Sequence, residues 1–359
     1  MSRRVFVVGQ HELEYPRNVV NQRLMREAGF EIMLCHRRGS MIGRTISIVM
    51  QYLWRARRGG VAFATEGAHS HVPWIKLATL WTGHKLVFDP FISRYNTEVE
   101  DRKRFAPRSF RAWQAHIRDW LACRCADYLV FDTHEHKDYF FKRYGLDKPY
   151  RVLRVGVDEV LFRPRPAPAE VAGVRCNVLF YGTYIPLQGV DVIVQAAARL
   201  RDYPSIHFCL IGEGQELPRI RALVKQLGLD RLELTGAIPA AQLAERISAA
   251  DICLGIFDPG IKAGQVVPNK VVQCAAMQKP IITRSSPSIE RDFHHGQSVW
   301  LVPAGEPDAL ADAVVRLALD SALRHTLATG ARAVFEREYS SHVQRGRMRA
   351  LLDEAAALE

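Results

Sequence analysis

The run from Asp258 to Pro280, Asp-Pro-Gly-Ile-Lys-Ala-Gly-Gln-Val-Val-Pro-Asn-Lys-Val-Val-Gln-Cys-Ala-Ala-Met-Gln-Lys-Pro, is the densest constellation of polar and glycine residues in the chain. A long glycine-bearing loop with Lys262 leads there into a helix whose early residues include Asn269 and Lys270. First-turn amides and an ammonium then point the same way, which suits an anionic ligand. Gln265, expected in the loop, and Gln273, expected one turn into the helix, are close enough in sequence to line one site. A second candidate turn is Ile211-Gly212-Glu213-Gly214, between a strand and a helix, where the glycines allow a close backbone approach to a phosphate. Leu217 stands where a third glycine of a dinucleotide fingerprint would fall, so a nicotinamide site is disfavoured and a turn without a ligand is the alternative.

Other chemistries find no support. His69 and His71, His134 and His136, and the pair His294-His295 lack the i, i+4 spacing with glutamate that a hydrolytic zinc site needs, and are expected to be loop and surface histidines. No metal or cofactor is expected. There is no Gly-x-Ser-x-Gly elbow and no P-loop. The seven cysteines sit mostly in apolar contexts such as Phe208-Cys209-Leu210, which reads as buried thiols in a reducing cytoplasm.

The elements that must position these residues alternate. Val5 to Gly9 is a buried strand, Asn18 to Ala28 a helix, and Phe30 to Cys35 a strand, which is a doubly wound opening rather than a signal peptide. Strands follow at Val61 to Thr65, Lys85 to Phe88, Tyr128 to Phe131 and Tyr150 to Val155, with helices at Ile46 to Arg57, Val72 to Trp81, Arg108 to Arg124 and His134 to Tyr144. The proline-rich stretch from Arg163 to Ala169 marks a linker. A second alternation runs from Asn177 to Thr283, closed by helices through Glu338 and an amphipathic segment from His342 to Leu358. The expected fold is therefore α/β, with Rossmann-like domains over 1–165 and 166–338 and a final helix over 339–359 that packs back on the first domain. Two such sheets present their carboxyl edges to one cleft, where ligands of this fold bind.

Composition fits a globular chain of 359 residues, 48% of them apolar and 24% charged. The net charge of +11 is one-sided: residues 1–165 hold 29 Lys and Arg against 17 Asp and Glu, whereas residues 166–359 hold 20 against 21. A basic half attracts a polyanion, an anionic membrane or a phosphorylated small molecule, or is simply solvated. Arg55, Arg57, Arg58, Lys103, Arg104, Arg108 and Arg111, with Trp54 and Trp113 as interfacial anchors, are the residues expected to meet a membrane.

The second half resembles the donor-binding half of GT-B glycosyltransferases, specifically glycosyltransferase family 4. The residues carrying the resemblance are Phe180-Tyr181-Gly182 with Gln188-Gly189-Val190-Asp191, Leu210 to Gly214, Ala-x-x-x-Lys-Pro-Ile-Ile ending at Ile282, and Ser285 to Glu290. Gly156-Val157-Asp158 with Phe162 and Pro164 resembles the family's crossing into the linker. The resemblance implies transfer of a sugar from a nucleotide-diphosphate sugar to a glycan, lipid-linked or small-molecule acceptor, with retention and without nucleic acid.

The same resemblance sets the site residues. Gly182, Gly212, Glu213, Gly214, Lys262, Asn269 and Lys270 fall on its donor side. Gln265 and Gln273 occupy the positions of its two glutamates, and Thr183 and Gln188 those of the Arg and Lys that face the donor diphosphate. Lys262 or Lys270 would then replace a missing cation, as subgroup variation, or else catalysis is lost. Asp89 falls where the family often has a histidine near the reacting sugar and is the catalytic candidate; its alternative is a loop carboxylate paired with Arg94. Arg17, at the first loop, is a candidate for an anionic group, or a solvated first-turn residue. The competing function is a non-catalytic homologue that binds nucleotide sugar or glycan as a partner or regulator; an epimerase is disfavoured. The expected location is the cytoplasm, peripherally at its membrane.

Overall fold

The computed structural model describes residues 4–9, 15–37, 39–56, 60–165 and 176–358. Arg57, Arg58 and the linker prolines at 166 and 168 lie outside them. The chain divides into two compact units, Met1–Gly156 with Ser341–Glu359, and Val157–Ser340.

The first unit runs β1 (Arg4–Val8), α1 (Pro16–Glu27), β2 (Glu31–Cys35), α2 (Met41–Arg55), β3 (Val61–Ala64), α3 (Val72–Thr82), β4 (Lys85–Phe88), α4 (Phe110–Cys125), β5 (Tyr128–Phe131), α5 (His134–Tyr144) and β6 (Tyr150–Val152). Its parallel sheet has the order β2-β1-β3-β4-β5-β6. Strands β3 and β5 are buried at every residue, as continuous apolar runs must be when helices cover both faces. Helix starts are set locally. Pro16 needs no amide partner at the first turn of α1, and the hydroxyls of Ser109 and Thr133 accept from the amides of Ala112 and His136 to begin α4 and α5.

The second unit runs β7 (Cys176–Tyr181), α6 (Val190–Arg199), β8 (Ile206–Ile211), α7 (Leu217–Gln226), β9 (Leu232–Thr235), α8 (Ala240–Ala249), β10 (Ile252–Leu254), α9 (Ile261–Gln265), α10 (Asn269–Ala276), β11 (Ile281–Arg284), α11 (Pro287–Glu290), β12 (Trp300–Val302), α12 (Pro307–Leu319) and α13 (Ser321–Val334). Its sheet is also parallel, in the order β12-β11-β10-β7-β8-β9, so the chain reverses direction across the sheet between β7 and β10. Ligands of open parallel sheets bind outside the carboxyl ends at that reversal. A last helix, α14 (Ser341–Ala356), packs with α1 in the first unit, where Met348, Leu351, Leu352 and Ala355 join the core beneath β1, β3 and β4. The segment expected as one loop before α10 contains α9, so Gln265 ends a short helix rather than lying in a loop.

Candidate functional site

At the reversal point of the second sheet, β7 ends at Tyr181 and turns through Gly182, where φ is 149°. Beside it β8 ends and turns through Gly212, with φ 146°. A Cβ on Gly212 would lie 1.9 Å from the Gly182 carbonyl oxygen, so the two turns approach as only glycine permits. Into this edge comes Lys270 from the first turn of α10. Its ammonium lies 3.6 Å from the centroid of the Phe180 ring, and a Cβ on Gly182 would sit 3.1 Å from Nζ.

Lys270 is 5% exposed, and among the described residues the hydrogen-bond acceptor for its Nζ is the side-chain oxygen of Gln188. The turn holding Gln188 is fixed by its own carbonyl, which accepts from the Phe257 amide at 3.1 Å. No carboxylate among the described residues offsets the buried ammonium. Burial therefore pushes Lys270 well below the ordinary lysine range, against a weak opposing influence of Cys274. A desolvated cation at a glycine-lined carboxyl edge has the chemistry to receive a phosphate.

The expected donor residues fall into two groups. Gly182, Gln188, Gly212 and Lys270 come together, and Gln273 joins them through Tyr181, whose hydroxyl donates to Gln273 Oε1 at 2.9 Å and to the Lys270 carbonyl at 3.3 Å. Gly214 packs on the Tyr184 backbone, and Thr183, Glu213 and Asn269 are exposed around the edge. Lys262 and Gln265 stand on α9, which packs beside the turn at Pro186–Gln188 and against α11. Of the two candidate lysines, Lys270 is the one seen bonded to Gln188, through its Nζ. Sequence reasoning passed over Tyr181 and Arg284. The Arg284 guanidinium, half-buried and pushed down by burial, donates to the carbonyls of Asp258, Gly260 and Ser285 and so braces the loop before α9. A basic residue at the end of β11 is the signal that would have found it.

In the first unit the carboxyl edge holds a buried ion pair. Arg17 Nε donates to Asp89 Oδ2 at 2.7 Å and Nη2 to Oδ1 at 3.1 Å, with side-chain exposures of 4% and 1%. Asn21 adds a bond to Oδ2 at 3.3 Å, and the guanidinium lies 4.4 Å from the Phe91 ring centroid. Asp89 therefore pairs with Arg17 and not with Arg94, and Arg17 is not a solvated residue. Burial lowers the Arg17 pKa, but the attraction and hydrogen bonds of Asp89 outweigh it and leave the group raised. Alongside, Asp132 accepts from His136 Nδ1 at 2.7 Å; burial pushes this carboxylate up, and His136 and Arg17 more than reverse the effect.

The histidines are a correction as well. His69, His71 and His136 are buried rather than on the surface: His69 lies edge-on to Phe88 with Nε2 3.5 Å from Asp119, and Nδ1 of His71 is 2.7 Å from the Thr45 hydroxyl. Buried imidazoles need such partners, and the topology supplies them. The seven cysteines are unpaired thiols, buried except for half-buried Cys125.

Residues 175–320 match the family model described as glycosyl transferases group 1. The chain is 28% identical over 289 residues to a phosphatidyl-myo-inositol mannosyltransferase of Mycobacterium leprae, covering 80% of this chain and 73% of that one. It is 30% identical over 225 residues to a D-inositol 3-phosphate glycosyltransferase of Acidothermus cellulolyticus, covering 57% of this chain but 48% of the relative. Among solved structures, Anabaena Alr3699/HepE in complex with UDP-glucose superposes with a TM-score of 0.73 at 12% identity, covering 99% of this chain and 100% of that one. A sucrose-phosphate synthase from Thermosynechococcus elongatus gives 0.72 at 16% identity over 99% of each chain. With its two parallel sheets this chain has the GT-B fold, and its second unit contains a domain that matches glycosyl transferases group 1.

Proposed function

We propose that the chain transfers a sugar from a nucleoside-diphosphate sugar, held by the second unit, to a glycan, lipid-linked or small-molecule hydroxyl received by the first. The observation that carries this reading is Lys270: a buried ammonium without a carboxylate partner among the described residues, set at the carboxyl edge between two glycine turns. A diphosphate would supply the missing counter-charge, and Lys270 would offset the charge that develops on the leaving group. The HepE complex, named with UDP-glucose, favours a uridine nucleotide. Retention of configuration follows from the family 4 resemblance, and the relative named for phosphatidyl-myo-inositol favours an acceptor at an anionic membrane.

In the first unit, Asp89 has both oxygens bonded to Arg17. A carboxylate bonded in this way holds the guanidinium in place, so its role in this reading is to orient Arg17, whose charge would serve an anionic group of the acceptor. The test is release of nucleoside diphosphate from a panel of nucleotide sugars, with and without candidate acceptors. Release from one donor, lost in Lys270→Ala, supports the reading. Saturable nucleotide binding with no release across donor and acceptor panels would return the alternative of a homologue that binds without transferring.

A further inference from the structure

Connections from β2 to β6 all step in one direction across the first sheet, so right-handed crossovers place α2, α3, α4 and α5 side by side on one face. One core records this, joining Ile48 and Tyr52 of α2, Ile75 of α3, Ala122 of α4 and Phe140 of α5. The opposite sides of these helices form the outside of the layer. On α2 that side is Ile42, Ile46, Met50 and Trp54, one every four residues, with Trp54 84% exposed. On α3 it is Trp74, Leu77, Leu80 and Trp81, with Trp81 89% exposed. On α4, Phe110 and Trp113 are exposed and stacked at 5.6 Å.

Outward faces of such helices are ordinarily polar, and α5 in the same layer obeys this with Asp138 and Lys142. The other three do not, and a contiguous apolar surface of this kind marks an interaction site. Charge identifies the occupant. Helices α2 and α3 contain no acidic residue, and the single one on α4, Asp119, is buried beneath the hydroxyls of Ser93 and Tyr144. Residues 36–88 hold eight Lys and Arg against one acidic residue, Glu66. Arg111, Arg118 and Arg124 stand exposed on α4. A second copy would set this cationic face against itself. An anionic bilayer offers opposite charge and an apolar layer together.

We propose that the α2–α3–α4 face docks on an anionic lipid bilayer, with Trp54 and Trp81 at headgroup depth and the arginines on lipid phosphates. No helix among the described residues is long and apolar enough to cross a membrane, so the contact lies in the surface plane. The inference deepens the membrane part of the function proposed above, yet it stands apart from the donor chemistry. It keeps Trp54 and Trp113 from the residues expected to meet a membrane and adds Trp81 and the α3 ridge.

The test sediments the whole chain with vesicles of phosphatidylcholine alone and of phosphatidylcholine with phosphatidylglycerol in equal parts, at low and high salt. Partitioning should be about tenfold or more stronger with the anionic vesicles and weaken with salt. The triple variant Ile46→Ser, Trp54→Ser, Trp81→Ser should lose about tenfold or more while unfolding at the wild-type temperature, since all three side chains are exposed. Arg118→Glu with Arg124→Glu should remove the preference for anionic lipid. Nucleotide-sugar titration of the triple variant reports separately on the transferase reading and should match wild type. Three results would overturn the docking proposal: wild type left in the supernatant with anionic vesicles at low salt, a triple variant that partitions like wild type, or a lipid-free dimer that the triple variant makes monomeric.

Discussion

A lysine that loses water without gaining a carboxylate is destabilised in its charged form, so Lys270 costs folding stability, and in the proposed function that cost would serve a phosphate site. Between its lowered native pKa and the ordinary lysine value, the unfolded chain binds more protons here than the native state. Stability without ligand should therefore rise with pH through that window, and Lys270→Met should flatten the rise while increasing the unfolding temperature at neutral pH. Thermal unfolding across pH measures both. Binding a diphosphate restores counter-charge and draws a proton onto Nζ, so affinity should fall as pH rises through the same window. Titrations in buffers of different ionisation enthalpy would register the uptake. The Arg17–Asp89 pair makes a different forecast: breaking a buried pair by Asp89→Ala should cost about 3–5 kcal/mol of stability. Turnover in that variant should fall further than donor affinity, and a double-mutant cycle with Arg17→Met should reveal coupling above about 0.5 kcal/mol. Denaturant unfolding of the four proteins checks it; additive effects would separate the two residues.

At the scale of elements, the glycine turns at the carboxyl edge are the least replaceable parts. Gly212→Ala would drive a methyl to 1.9 Å from the Gly182 carbonyl at a φ of 146°, and should lower the unfolding temperature markedly or abolish folding of the second unit. Gly346, with nothing within 4 Å of a built Cβ on helix α14, is the matched control, where alanine should be neutral or mildly stabilising. The strands were legible because both-face burial writes itself as continuous apolar runs, and α5 was read to the residue because Thr133 and Gly145 punctuate it. Helix α9 was not legible: five residues with a glycine give no period to detect. Helix α2 starts at Met41, five residues earlier than the pattern suggests, because its apolar row faces outward and the reading assumes that such rows face a core. The sequence offered candidate residue types for a site and none of their pairings. Lys270 with Gln188 and Arg17 with Asp89 join positions 82 and 72 apart, which only the strand order brings together.

For the molecule as a whole, the charge asymmetry and the two parallel sheets agree with the proposed division of labour, in which a donor unit near neutrality would receive a nucleotide and a basic unit would meet the acceptor. The claim on which the rest depends is that a nucleoside diphosphate binds at Lys270. Isothermal titration of wild type and Lys270→Ala with a panel of nucleoside diphosphates and their sugars tests it most directly. The account predicts saturable binding of at least one nucleotide by wild type and a loss of about 1–3 kcal/mol in the folded variant, the range of a charge-assisted hydrogen bond. Equal affinity in wild type and folded variant would contradict it.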